Sequence, residues 1–189
     1  MKCGARPDLC RKLRDAHPAH RPHLDRHDRR LWDAIVEAEA LAWAESRSAL
    51  GCGSFSFVEG SPDLHLPERA WIEVKNINHS DVWWDSWNQA GGVMISRVAT
   101  EADELHETVT KKLQDGWDDA LKKFGRVEPE PVNIVYFSVR LEFPPLPRVA
   151  WTQVEYWLSG LRIPAGYGAV VTKNDNWQSP AMVRGAALS

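Results

Sequence analysis

The spacing of apolar positions divides the chain into segments of two periods. Leu31, Ala34, Ile35, Ala38, Leu41 and Ala42 recur at helical spacing, which predicts a helix over residues 29–49 with Asp28 as N-cap and Gly51 and Gly53 beyond its end. Ser54–Val58 and Trp71–Asn76 instead alternate, the pattern of half-buried strands. Gly60-Ser61-Pro62-Asp63 is a turn signal between them, followed by Leu64-His65-Leu66-Pro67, so a hairpin or meander is expected there. Residues 76–99 are read as a short helix followed by a strand. Thr100 with Asp103 forms an N-terminal capping pattern. Leu105, Val109, Leu113, Trp117, Leu121 and Phe124 then step along one face, predicting a helix over 101–124. Residues 132–141 are apolar on both faces in their first half, as a central strand requires. A short helix over 152–159 and a strand over 168–173 complete the series. Strands alternating with helices predict an α/β fold, a mixed central sheet flanked by helices.

Residues 1–27 have no hydrophobic period and are rich in Arg, His and Pro, so they are read as a flexible basic arm on a single domain, 28–189. Composition supports a folded domain: 189 residues, 43% hydrophobic and 26% charged, exclude an intrinsically disordered chain. No apolar run approaches the ~20 residues of a membrane span, and no apolar h-region opens the sequence, so a cytoplasmic protein is expected. Cys3, Cys10 and Cys52 are too few for a disulfide framework. Charge is uneven. Residues 1–30 carry nine Lys/Arg against four Asp, whereas the remainder carries 14 basic and 22 acidic side chains. The body therefore attracts no polyanion as a whole, and any nucleic-acid chemistry must come from a local site.

One constellation can carry such chemistry. Glu73 and Lys75 lie two apart on a predicted strand and point the same way, opposite to Ile72 and Val74, so one face is apolar and the other presents a carboxylate beside an ammonium. Asp63 closes the neighbouring strand, within reach of Glu73. Two carboxylates and a backbone carbonyl make a hard oxygen site suited to Mg²⁺ or Mn²⁺, and the amine can orient a water and offset developing negative charge.

Pro62-Asp63 followed by Glu73-Val74-Lys75, on strands after a first helix and before a second helix and an apolar strand, resembles the PD-(D/E)XK nuclease superfamily. Ser61-Pro62-Asp63-Leu64, Ile72-Glu73-Val74-Lys75 and Gln89 look most like its VRR-NUC or Holliday-junction-resolvase-like branches. The resemblance spans about residues 28–143. It implies a restriction-endonuclease-like core and Mg²⁺-dependent hydrolysis of phosphodiester bonds, DNA before RNA, leaving a 5′-phosphate. It implies that Asp63 and Glu73 bind the metal with the Val74 carbonyl, and that Lys75 positions the attacking water. Many members add an acid from the first helix, for which Glu39 and Glu45 stand ahead of Glu37. Gln89 corresponds to a glutamine that some branches carry after the core strands, and a homodimer is the default assembly.

Other features are weighed beside this site. Lys111, Lys112, Lys122 and Lys123 on the second long helix form a solvated face or reach a phosphate backbone. Trp83, Trp84 and Trp87 can stack on unpaired bases, or can pack in a core or interface. The N-terminal Cys3, Cys10, His17, His20, His23 and His27 offer one pair at zinc-finger spacing, His23 with His27, and Pro18 and Pro22 break any regular face. The sequence has no nucleophile-elbow, P-loop or dinucleotide-binding fingerprint. A second reading is a catalytically inactive nuclease-like fold, or a Trp-rich α/β module that binds a protein partner, as in a toxin–immunity or phage-defence pair.

Overall fold

The computed structural model describes residues 7–16, 24–47, 50, 55–58, 62–77, 101–139, 148–173 and 182–185. Within these, the order is α1 (Pro7–Ala16), α2 (Leu24–Glu45), β1 (Ser56–Phe57), β2 (Leu64–Leu66), β3 (Ala70–Ile77), α3 (Glu101–Phe124), β4 (Val132–Val139), α4 (Arg148–Gly160), β5 (Tyr167–Lys173) and β6 (Met182–Arg184). The six strands form one mixed sheet in sequence order. β1, β2 and β3 pair antiparallel, β3, β4 and β5 pair parallel, and β6 returns antiparallel to β5. The fold is α/β.

Both parallel junctions need a crossover, and α3 and α4 provide them. The two crossovers step the same way across the sheet, so a common hand puts both helices on one face. There Val109, Leu113, Trp117, Ala120 and Phe124 of α3 and Val154 and Leu158 of α4 pack on Trp71, Ile77, Val135, Phe137, Val139, Ala169 and Val171. The opposite face, with Leu64, Ile72, Ile134, Tyr136 and Val170, is covered by Val36, Ala40, Leu41 and Ala44 of α2 and Leu9 of α1. β4 is buried from Asn133 to Val139, as its two-faced apolar pattern predicts for a central strand.

Several expectations change. α1 forms inside the stretch read as a flexible arm. Its Leu9 is 4% exposed and Leu13 packs beside it one turn on, so an apolar pair rather than an extended stripe docks the helix. α2 begins at Leu24 rather than after Asp28, and ends at Glu45 rather than near 49. There the Ser46 hydroxyl turns back onto the Trp43 carbonyl at 2.6 Å, a local bond that competes with continuing the helix. β6 has no counterpart among the predicted elements, because three residues are too few for a period to register. Its Arg184 donates to the carbonyls of Leu158 and Leu161 at the C-terminal end of α4, placing a cation where the helix leaves acceptors free. The helix and strand expected over 76–99 lie outside the described residues beyond Ile77, and so do Trp83, Trp84, Trp87 and Gln89.

The face of β3 that carries Glu73 and Lys75 is also not an open polar face. Trp71, Glu73 and Ile77 on it are all at least nine-tenths buried beneath α3. Strand alternation placed these side chains together correctly, but it could not say which helix would cover them.

Candidate active site

Asp63 does not close the first extended run, as expected from the sequence, but immediately precedes β2, so the site is built where β2 begins against β3. The last pair of that antiparallel ladder is Leu64 with Ile72, and one further step puts Asp63 opposite Glu73, the geometry in which facing Cβ atoms lie about 4.5–5.5 Å apart. Asp63 Oδ2 accepts a 2.7 Å hydrogen bond from the Val74 N–H, replacing the ladder bond that β2 no longer supplies. A residue's N–H and C=O leave a strand on the same edge, so the Val74 carbonyl is directed to the Asp63 side. Burial, and next the charge of Glu73, push the Asp63 carboxyl up to about 6, against the pull of the Val74 amide, Lys123 and Lys12.

Glu73 is 1% exposed. Its Oε1 accepts from Lys123 Nζ at 2.5 Å and faces Lys75 Nζ at 2.9 Å. Lys75 also donates to Asp119 Oδ2 at 2.6 Å, and Lys123 stands 3.7 Å from that same oxygen. Two carboxylates thus alternate with two ammonium groups in a closed ring. Burial works against the charge on Lys75, but its hydrogen bonds to Asp119 and Glu73 outweigh it and hold the ammonium above its ordinary range. The hydrogen bond from Lys75 holds Asp119 below the usual carboxylate range. The other oxygen of Glu73, Oε2, is buried and has no hydrogen-bond partner. An acceptor left in that state inside a protein is costly, and it is the kind of atom a hard cation takes.

Gly116 allows the ring to close. A Cβ built there would lie 3.1 Å from the Phe137 ring and 3.5 Å from Cγ of Lys75. α3 therefore passes close over β3 and β4, the Lys75 stem lies beneath it, and the ammonium emerges at Asp119 about one turn further on.

On the other side of Asp63 lies α1. Lys12 forms an ion pair with Glu37 of α2 and sits 4.8 Å from the centre of the Phe57 ring. Phe57 pairs with Leu64 and packs in the layer of α1 and α2, whereas Val58, whose N–H donates to the Asp63 carbonyl at 3.0 Å, packs on the opposite face of the sheet. Burial pulls the Lys12 ammonium below its ordinary range, opposed by the charges of Asp63 and Asp33. Asp33, one turn before Glu37, accepts from Asn76 Nδ2 at 2.9 Å.

The structure thus brings Asp63, Glu73, Val74 and Lys75 together. It does not bring Glu39 or Glu45 to them. Glu39 lies about 200° around α2 from Glu37, and Glu45 is exposed in the last turn. Among the described residues, no three His, Cys, Asp or Glu side chains are grouped so that they could hold a metal ion. Lys111 is exposed and lies roughly 18 Å along α3 from Lys123, with Lys112 beside it, so neither belongs to this site. Lys123, read with them as part of a solvated face, turns inward, while Lys122 stays exposed. Sequence reasoning missed Lys123, Asp119, Asp33 and Lys12 as site residues, and ranked Glu37 behind Glu39 and Glu45. The signals that could have found the first two were a glycine in mid-helix and an Asp–Lys pair one turn apart beyond it.

No helix among the described residues is long and apolar enough to cross a membrane. Comparison with known proteins finds no matching family model, curated protein or solved structure for this chain.

Proposed function

We propose that this chain is a metal-dependent nuclease of the PD-(D/E)XK type, with a restriction-endonuclease-like core, acting on DNA. The observation that carries the reading is the buried, unpartnered Oε2 of Glu73 on the strand facing Asp63. Asp63, Glu73 and the Val74 carbonyl would hold Mg²⁺ or Mn²⁺, which when bound supplies a Lewis acid for a phosphoryl oxygen and makes a water more acidic. At neutral pH Asp63 is ionised, since its carboxyl titrates at about 6. Lys75 and Lys123 converge on the other oxygen of Glu73, so negative charge arriving there meets two ammonium groups already fixed in place. α3 and the Trp71 side chain exclude water from that side, which strengthens each of these interactions.

The test is cleavage of single- and double-stranded DNA, with RNA in parallel, in Mg²⁺ and in Mn²⁺. Metal-dependent cleavage should be lost in Glu73→Gln and Lys75→Met while both variants keep a cooperative melting transition. Cleavage unchanged in both variants overturns the reading.

A second reading has its own observation. Glu73, Lys75, Asp119 and Lys123 neutralise one another in a closed ring, which is how a site that has lost its chemistry would be held as structure. It predicts that wild-type protein cleaves none of these substrates and that divalent ions leave its Tm unchanged.

A further inference from the structure

We infer that Asp119 of α3 is a positioning residue: it draws the Lys75 and Lys123 ammonium groups to one oxygen of Glu73 and leaves the other oxygen for a divalent cation. The inference rests on reading Asp63 and Glu73 as a cation site. It deepens that reading by naming the residue that keeps two lysines from occupying the site themselves.

The distribution of contacts on Glu73 leads to it. A buried carboxylate beside two ammonium groups is best satisfied when each oxygen accepts from one of them, because a buried acceptor without a partner is costly. Here both ammonium groups stand at Oε1, Lys123 at 2.5 Å and Lys75 at 2.9 Å, while the buried Oε2 has no hydrogen-bond partner. A second carboxylate accounts for the asymmetry. Lys75 donates to Asp119 Oδ2 at 2.6 Å, nearer than it stands to Glu73, and Lys123 lies 3.7 Å from the same atom. An ammonium stretched between Oε1 and Oδ2 is held away from Oε2.

The rest of the fold leaves this placement to Asp119. Lys75 comes from β3 and Lys123 from α3, so no shared backbone sets the distance between their ammonium groups. Asp119 sits one turn before Lys123, the spacing at which helix side chains meet. Gly116 lets the Lys75 stem pass close beneath the same stretch of helix. The Asp119 side chain is itself 53% exposed, and an ion pair so exposed adds little to stability. Its contribution is to where the ammonium groups stand. With its charge removed, Lys75 can turn to Oε2, the acceptor that lacks a partner, and a divalent ion must then displace it.

The experiment follows Tm of the full chain in rising Mn²⁺, and separately Mg²⁺, without nucleic acid. The shift from each protein's own metal-free Tm gives the apparent Kd for the ion. Asp119→Asn should raise that Kd by about tenfold, because the ion has an ammonium to displace. Asp119→Glu, which keeps the carboxylate, should return it to within about threefold of wild type. Asp118→Asn removes the same charge from the next residue, whose carboxylate accepts from Gln114 at 3.0 Å, and should leave the Kd within about twofold of wild type. An unchanged Kd in Asp119→Asn overturns the inference and leaves the cation-site reading standing. An equal rise in Asp118→Asn does the same, since net charge alone would then explain it, as does an Asp119→Glu variant no better than Asp119→Asn. Wild-type protein whose Tm responds to neither ion overturns the cation-site reading and this inference with it.

Discussion

Lys123, 50 residues downstream and on another element, lies closer to Glu73 Oε1 than Lys75 does, at 2.5 Å against 2.9 Å, although Lys75 shares the strand with Glu73. The helix, not the strand, supplies the nearer counter-charge. That follows from α3 lying directly over this face of the sheet, with Phe124, the residue after Lys123, buried in the same layer.

The first prediction concerns that contact. Glu73 is 1% exposed, so removing a partner leaves charge in a medium that solvates it poorly. Lys123→Met keeps the stem and deletes the ammonium, and should cost about 1–3 kcal/mol by urea denaturation, because Lys75 remains to share the load. Lys122→Met, at the exposed neighbour, should fall within about 0.5 kcal/mol of wild type. Equal losses in the two variants would place Lys123 at the surface.

Gly116 gives the second. In a helix interior alanine is better than glycine by about 1 kcal/mol, so propensity alone predicts that Gly116→Ala stabilises. Packing predicts the reverse. The new Cβ would be 3.1 Å from a Phe137 ring that is itself fully buried and set edge-on to Trp157 at 5.6 Å. That ring has little room to yield, and overpacking should cost about 1–3 kcal/mol, outweighing the helical gain. Gly160→Ala, where nothing lies within 4 Å of the added Cβ, should be neutral or slightly stabilising. Chemical denaturation of the two variants side by side decides it.

These two residues also mark how far the sequence could be read. Period and burial identified α3 at its observed bounds and β4 as central, because long apolar stripes leave a strong signal. Glu73 with Lys75 was legible because strand alternation fixes what points together. The partners were not. Whether Lys123 or Lys122 turns inward depends on how α3 crosses the sheet, where Gly116 lies close against Phe137, a contact between residues 21 apart in the chain. Likewise it is Lys12 on α1 that pairs with Glu37 of α2, a contact between two helices that neither helix's own pattern records. A helix with only Leu9 and Leu13 as its apolar anchors gives no period to read.

The third prediction follows from Asp63. Burial and then the neighbouring Glu73 charge raise its carboxyl from 3.8 to about 6 in the folded protein. A group raised on folding favours its protonated form in the native state. Its contribution is fully present below pH 4 and is lost as pH climbs through 6. Between those limits the wild-type protein should lose up to about 3 kcal/mol of stability through this one carboxyl. Other carboxylates titrate in the same range, so the informative quantity is the difference from Asp63→Asn, which keeps an acceptor for the Val74 N–H but cannot ionise. The variant should match wild type near pH 4 and become the more stable protein by pH 7, with the gap opening between pH 4 and 6 in urea denaturation. A gap that is constant across this range would mean that the Asp63 carboxyl titrates normally, and that Glu73 and the surrounding burial exert no net pressure on its charge.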